Sequence, residues 1–169
     1  MNESDEVYSI TLTTSNNNTD KNNNPIFRTA GNYSDVSWNI NYDALFNGRN
    51  KLFKFCRVRF NFQGAAGNYT FNNQNGYLCA NFQTNYNSQN TLLPCVLGLI
   101  YAKTNPNSQG TDLNVYSIST LNDIGVDILP SQLEGIKILN IKMVNDDSLT
   151  AISNITKDWE IFLTFQLYN

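Results

Sequence analysis

Trp159-Glu160-Ile161-Phe162-Leu163-Thr164-Phe165-Gln166-Leu167-Tyr168-Asn169 closes the chain, and this stretch decides the fold. Its apolar residues Trp159, Ile161, Leu163, Phe165 and Leu167 occupy alternate positions. An extended backbone places all five on one face, against a core. The stretch is expected to be an interior strand of a sheet. Just upstream, Ile124 to Leu129 and Gly135 to Val144 carry strand patterns of their own, so the region from Asp123 onward reads as three strands joined by turns.

The same period recurs toward the N-terminus. Residues 1–7 are polar and acidic and are expected to form a flexible lead-in, after which Tyr8, Ile10 and Leu12 alternate with Ser9, Thr11 and Thr13. Ser15 to Asn24 holds no apolar residue and reads as a loop. Val36, Trp38 and Ile40 alternate next, Asp43-Ala44-Leu45-Phe46 suggests a helical turn, and Asn47-Gly48 signals a tight turn. In Lys51 to Gln63, Leu52, Cys56, Val58, Phe60 and Phe62 define one face, and Phe53, Phe55, Arg57, Arg59 and Asn61 the other. Short strands are expected at Tyr69 to Phe71, Tyr77 to Phe82 and Leu113 to Ile118. The nearly unbroken apolar run Leu92 to Ala102 reads as a strand covered on both faces. The polar run Asn105 to Gly110 reads as a loop.

With 169 residues, the chain suits one domain spanning 1–169. The fold expected is all-β, a single jelly-roll β-sandwich of about eight strands in two antiparallel sheets. The Cys-Trp-Cys spacing of immunoglobulin domains is missing.

Composition narrows the chemistry. The chain contains no histidine, so Ser-His-Asp and Cys-His nucleophilic systems, and metal centres that need imidazole ligands, cannot be built from it alone. About one residue in six is asparagine, scattered between regular apolar strands rather than gathered in a low-complexity tract. Net charge is −3, which gives no overall attraction to nucleic acid or an anionic membrane. Cys56, Cys79 and Cys95 are odd in number, lack CxxC spacing and lie in apolar runs, so buried free thiols and a reducing compartment are expected. No secretion signal is read at the start, and the apolar run from Leu92 is too short to span a bilayer. Asn-x-Ser/Thr sequons at Asn17, Asn32, Asn68 and Asn154 are what a chain rich in these residues produces by chance.

Two clusters could carry function. Five of the eleven basic residues lie between Arg49 and Arg59, interleaved with Phe53 and Phe55. This resembles a single-strand nucleic-acid platform, but the acidic balance favours a solvated strand face or a protein interface. Phe53, Phe55, Arg57 and Arg59 are the candidate interface residues. Asp123, Asp127, Asp146, Asp147 and Asp158 could furnish a calcium site or a carboxylate pair, but their settings are those of turns and loop ends. No Gly-rich phosphate loop or zinc motif occurs. No catalytic, metal or cofactor site is expected.

Three segments carry a family resemblance. Val36-Ser37-Trp38-Asn39-Ile40-Asn41-Tyr42 followed by Phe55-Cys56-Arg57-Val58-Arg59-Phe60-Asn61-Phe62 is similar to the early strands of small single jelly-roll capsid proteins of large double-stranded DNA viruses and virophages. Asn122 to Pro130, Ile136 to Val144 and Trp159 to Phe165 look like the closing strands of the same proteins. The similarity covers about half the chain. It implies a minor capsid or penton-type subunit of a virion, assembled in the host cytoplasm, with copies of itself and a major capsid protein as partners. It implies no small-molecule substrate. The rival expectation is a carbohydrate-binding sandwich using Asn72, Asn73, Tyr77, Tyr86 and Tyr101.

Overall fold

Burial alternates along the whole closing strand: Trp159, Ile161, Leu163, Phe165 and Leu167 are buried, and the residues between them are exposed or half-exposed. In the computed structural model this strand is β11 (Trp159–Tyr168), and it lies inside a sheet, between β1 (Glu6–Thr13) and β4 (Phe55–Gly64). The structure describes residues 5–16, 24–29, 31–64, 66–67, 75–86, 92–104, 113–117, 125–145, 150–152, 155 and 158–169.

The remaining elements are β2 (Phe27–Thr29), β3 (Asn32–Asn39), α1 (Tyr42–Leu45), a 3₁₀ turn (Arg49–Leu52), β5 (Ala66–Gly67), β6 (Asn75–Tyr86), β7 (Leu92–Thr104), β8 (Leu113–Ser117), β9 (Val126–Ile128), α2 (Pro130–Gly135) and β10 (Ile138–Asn145). Among the described residues the strands form two antiparallel sheets, ordered β1-β11-β4-β9 and β2-β3-β10-β6-β7-β8-β5. The expected all-β sandwich is therefore present, with three short strands beyond the eight. Setting aside β2, β5 and β8, the pairs β1·β11, β3·β10, β4·β9 and β6·β7 nest inside one another, first strand with last and fourth with fifth. A long antiparallel ribbon folded over on itself has this nested pairing.

The sheets pack through one apolar core that includes Leu12, Val36, Leu139, Ile141, Met143 and Phe165. At its centre Trp38 of β3 meets Trp159 of β11 edge-on, with ring centroids 5.8 Å apart. Each indole also bonds across the sandwich. Trp38 Nε1 donates to the Thr13 carbonyl at 2.9 Å, and Trp159 Nε1 donates to the Tyr33 carbonyl at 2.7 Å. Two large side chains are thus buried without orphaning their N–H groups, and the sheets are clasped in a fixed register.

Several asparagines close backbone groups that the sheets leave over. Asn32 donates to the Ile152 carbonyl and accepts from the Ile155 N–H. Asn81 donates to the Ile138 carbonyl and accepts from the Asn140 N–H, and Asn140 donates to Asp35 and Ser37. Asn41 caps α1 by accepting from the Ala44 N–H. Asn47 and Gly48 both take positive φ, as their pairing in a tight turn predicts.

Some expectations need correction. β1 starts at Glu6, so Glu6 and Val7 are paired strand residues opposite Leu167 and Gln166 rather than part of a flexible 1–7 segment. Of the strand expected over Ile124 to Leu129, the described part runs only over Val126–Ile128, because Gly125 takes φ +72° and Pro130 starts a helix. Proline suits the first helical position, and the Gln132 side chain accepts from the Leu129 N–H at 3.1 Å. β7 is not covered on both faces: Cys95 and Leu97 are buried, but Val96 is 40 % exposed on the outer side of its sheet. The Tyr69 to Phe71 strand and the Asn105 to Gly110 loop lie outside the described residues.

Cys56, Cys79 and Cys95 are all buried and unbridged. Burial pushes the Cys56 thiol up to about 12 and the Cys79 thiol up to about 11, so at neutral pH neither is a thiolate nucleophile. The folded protein should therefore react with a thiol reagent only as fast as it opens, and all three cysteines should react at once in denaturant. Rapid labelling of the native chain at all three positions would contradict the strand assignments.

Candidate interaction face

The inner side of the four-stranded sheet is core; its outer side carries the charge and aromatic pattern singled out in the sequence. On β4, Cys56, Val58, Phe60 and Phe62 turn inward, so Phe55, Arg57, Arg59 and Asn61 turn outward. The register of β11 and β1 against β4 sets rows across this face. Val7, Gln166, Arg57 and Asp127 form one row, Ser9, Thr164 and Arg59 the next, and Thr11, Phe162 and Asn61 a third. The face stays open among the described residues: Val7 is 61 % exposed, Phe55 42 % and Phe162 43 %.

One end of the face is tightly organised. Arg57 binds the Asp127 carboxylate with both prongs, Nε to Oδ1 at 2.8 Å and Nη2 to Oδ2 at 3.1 Å. Its guanidinium lies over the Tyr168 ring, 5.3 Å from the centroid, and Tyr168 stacks on Phe55 at 5.3 Å. The hydrogen bond from Arg57 holds the Asp127 carboxyl below the usual carboxylate range. Desolvation, followed by the nearby Asp127 carboxylate, raises the Tyr168 hydroxyl. The product is an aromatic ledge bordered by an internally neutralised ion pair. Gly125 takes φ +72°, and a Cβ built there would come within 2.8 Å of Arg59 Cγ and 3.0 Å of Arg57 Cγ.

Three of the four candidate interface residues, Phe55, Arg57 and Arg59, share this face. Phe53 does not: it is only 6 % exposed, and Leu52 is 50 % exposed. The alternation breaks because Leu52 ends the 3₁₀ turn and the chain bends at Lys54 before β4 begins, so parity counted back from the strand inverts. The basic cluster is not a free cationic patch either. Arg49 is bound to Glu6 at 2.6 Å, Arg57 to Asp127, and Arg59 also has partners. Sequence reasoning missed Tyr168, Phe162 and Asp127 as members of the face, although the outward positions of β11 follow directly from its alternation.

Of the carboxylates expected in turns, the two described ones serve different partners. Asp127 serves Arg57, and Asp158 accepts from Thr14 and Arg28; Asp123, Asp146 and Asp147 lie outside the described residues. Among the described residues no three His, Cys, Asp or Glu side chains come together. Of the glycan-site candidates, Asn72 and Asn73 lie outside the described residues. Tyr101 pairs with Asn75 whereas Tyr86 pairs with Leu92, which puts the two tyrosines at opposite ends of the β6·β7 ladder, roughly 30 Å apart by strand rise. A cleft of about 360 Å³ opens between α1 and α2, where Asn39, Asp43, Glu134 and Lys137 surround Ile40 and Leu133. Among the described residues no helix is long and apolar enough to cross a membrane.

Neither a family model nor a curated protein matches the chain. Function has to be argued from the face itself.

Proposed function

We propose that the protein is a structural subunit of a protein shell, a minor capsid or penton-type jelly roll of a virion, which works by packing against copies of itself and a larger major capsid protein. The observation that carries this is the outer face of the β1-β11-β4-β9 sheet: Phe55, Phe162 and Val7 stand exposed on the same face as Arg57, whose charge is balanced by Asp127. Aromatic side chains supply contact area at little entropic cost, and a pre-paired arginine reduces the charge that has to be desolvated when the face is covered. The nested strand pairing and the resemblance of Val36 to Tyr42, Phe55 to Phe62 and Trp159 to Phe165 to viral jelly rolls support the same assignment. Assembly in a reducing host cytoplasm fits three buried thiols.

The test is assembly. Light scattering and electron microscopy of the purified chain, alone and with the shell it is isolated from, should show symmetric incorporation. Phe55→Ser/Phe162→Ser should abolish incorporation while the chain remains folded, since neither side chain belongs to the buried core. A chain that never enters a shell but binds a defined sugar on a glycan array would sink the proposal in favour of a carbohydrate-binding module.

A further inference from the structure

We infer that the free edge of β1 is a homodimerisation strand, pairing antiparallel with β1 of a second copy about a two-fold axis through Ser9. The two sheets have four edges among the described residues: β1 and β9 on one, β2 and β5 on the other. Three are blunted. β9 and β2 run three residues each and β5 two, and β2 also has a register shift between Arg28 and Thr29. β1 runs eight residues with a continuous register and contains no proline, lysine or arginine. A long edge with an unbroken register and its one charge, Glu6, at the end is the form of strand that another strand extends.

The hydrogen-bond parity of β1 is fixed at its far end. Thr14 N–H donates to the Trp159 carbonyl at 3.0 Å, so the even-numbered residues of the strand bond to β11 and the odd-numbered ones direct their N–H and C=O groups away from it. The Thr13 carbonyl is already taken by Trp38 Nε1. The groups left facing outward are the N–H and C=O of Val7, Ser9 and Thr11 and the N–H of Thr13, and no described residue is shown bonding them. The core side tells the same story. Leu12 is fully buried, but Tyr8 and Ile10, which face the same way, are only half-buried at the uncovered flank.

What fits this edge is set by its symmetry. The three open residues are centred on Ser9, so a two-fold through that residue sets Ser9 against Ser9, Val7 of one copy against Thr11 of the other, and Tyr8 against Ile10. Every open N–H and C=O of Val7, Ser9 and Thr11 then finds a partner, and the Thr13 N–H falls opposite Asp5. Asp5 falls opposite Thr13 and Glu6 opposite Leu12, so no two like charges meet, and Glu6 keeps its bond to Arg49. The pairing also continues the outer face across the axis, merging two four-stranded sheets into one of eight. This inference stands on the edge geometry and does not require the shell assignment.

Cross-linking tests the register and sedimentation tests the dimer, both on the full chain. Ser9→Cys places two thiols directly across the axis, within bridging range, whereas Val7→Cys separates its own copies by several residues along the strands. With the native cysteines buried, oxidation should convert Ser9→Cys to a disulfide dimer and leave Val7→Cys monomeric on a non-reducing gel. In sedimentation velocity, Val7→Lys/Thr11→Lys should lose the dimer by opposing like charges, and Val7→Lys/Thr11→Glu should keep it. Circular dichroism of all four variants should match the parent, because these side chains are outward. A parent chain that stays monomeric at every soluble concentration, or a lysine pair that leaves the dimer intact, overturns the inference. Bridging of Ser9→Cys without shell assembly would refute only the shell; assembly with Ser9→Cys unbridged would refute only the edge.

Discussion

Trp159→Ala should lower the free energy of unfolding by about 5 kcal/mol, close to the whole stability of a small domain. Two losses add. Truncating a fully buried indole removes its transfer free energy and leaves a cavity where Phe62 and Trp38 lose their ring partner, worth about 3–5 kcal/mol. The Tyr33 carbonyl then loses its 2.7 Å donor in a site where water has to enter to replace it. Trp159→Phe separates the terms: it restores most of the volume but not the N–H, and should cost about 2 kcal/mol. Urea unfolding followed by tryptophan emission measures both, since the chain has two tryptophans and both are buried. Trp38→Ala should cost nearly as much. A Trp159→Ala cost below about 1.5 kcal/mol would mean that the indoles do not clasp the sheets.

Much of this clasp was legible from residue order. Trp38 belongs to the Val36-Trp38-Ile40 alternation and Trp159 to the closing one, so each was expected inside. Alternation is informative where a strand has a core on one side only, and β3, β11 and the part of β4 from Cys56 to Phe62 all meet that condition. The cross-bonds of the indoles depend on which carbonyls the two sheets bring together, and no local pattern encodes that.

The failures share a physical cause. Phe53 was assigned outward because parity was counted through a bend, and parity has no meaning once the backbone leaves the extended region. Val96 was assigned to a doubly covered strand because its neighbours are apolar, but the run only records that Cys95 and Leu97 face the core. The ion pairs of the arginine-rich stretch are invisible in sequence because its partners Asp127 and Glu6 lie far away along the chain. Sign and spacing along one strand cannot reveal a counter-charge delivered by another.

Gly125 is the residue whose role was least visible in sequence, and Gly125→Ala is expected to cost about 3–4 kcal/mol. Its φ of +72° already strains any residue with a Cβ, by about 1–2 kcal/mol. A Cβ there would also sit 2.7 Å from the Val58 carbonyl oxygen and 2.8 Å from Arg59 Cγ. The arginine stem can swing aside, but the Val58 oxygen belongs to the backbone of β4, which is paired on both sides, with Phe165 of β11 and Val126 of β9. Relief therefore requires β9 to move off the edge of the sheet, an overpacking cost of about 1–3 kcal/mol. Gly31 isolates the conformational part: it has φ +74° and nothing within 4 Å of its Cβ position, so Gly31→Ala should cost only about 1 kcal/mol. The difference between the two alanine variants in urea unfolding measures how closely β9 is pressed onto β4. If the two costs are equal, that contact carries no energy. If Gly125→Ala is the more costly, it should also loosen Arg57 from Asp127, because Asp127 is held in place by the strand that the new methyl group displaces. The stability of this edge and the order of the aromatic ledge at Phe55 and Tyr168 then rest on one missing side chain, and a loss of shell incorporation in Gly125→Ala under conditions where it remains folded would tie them together.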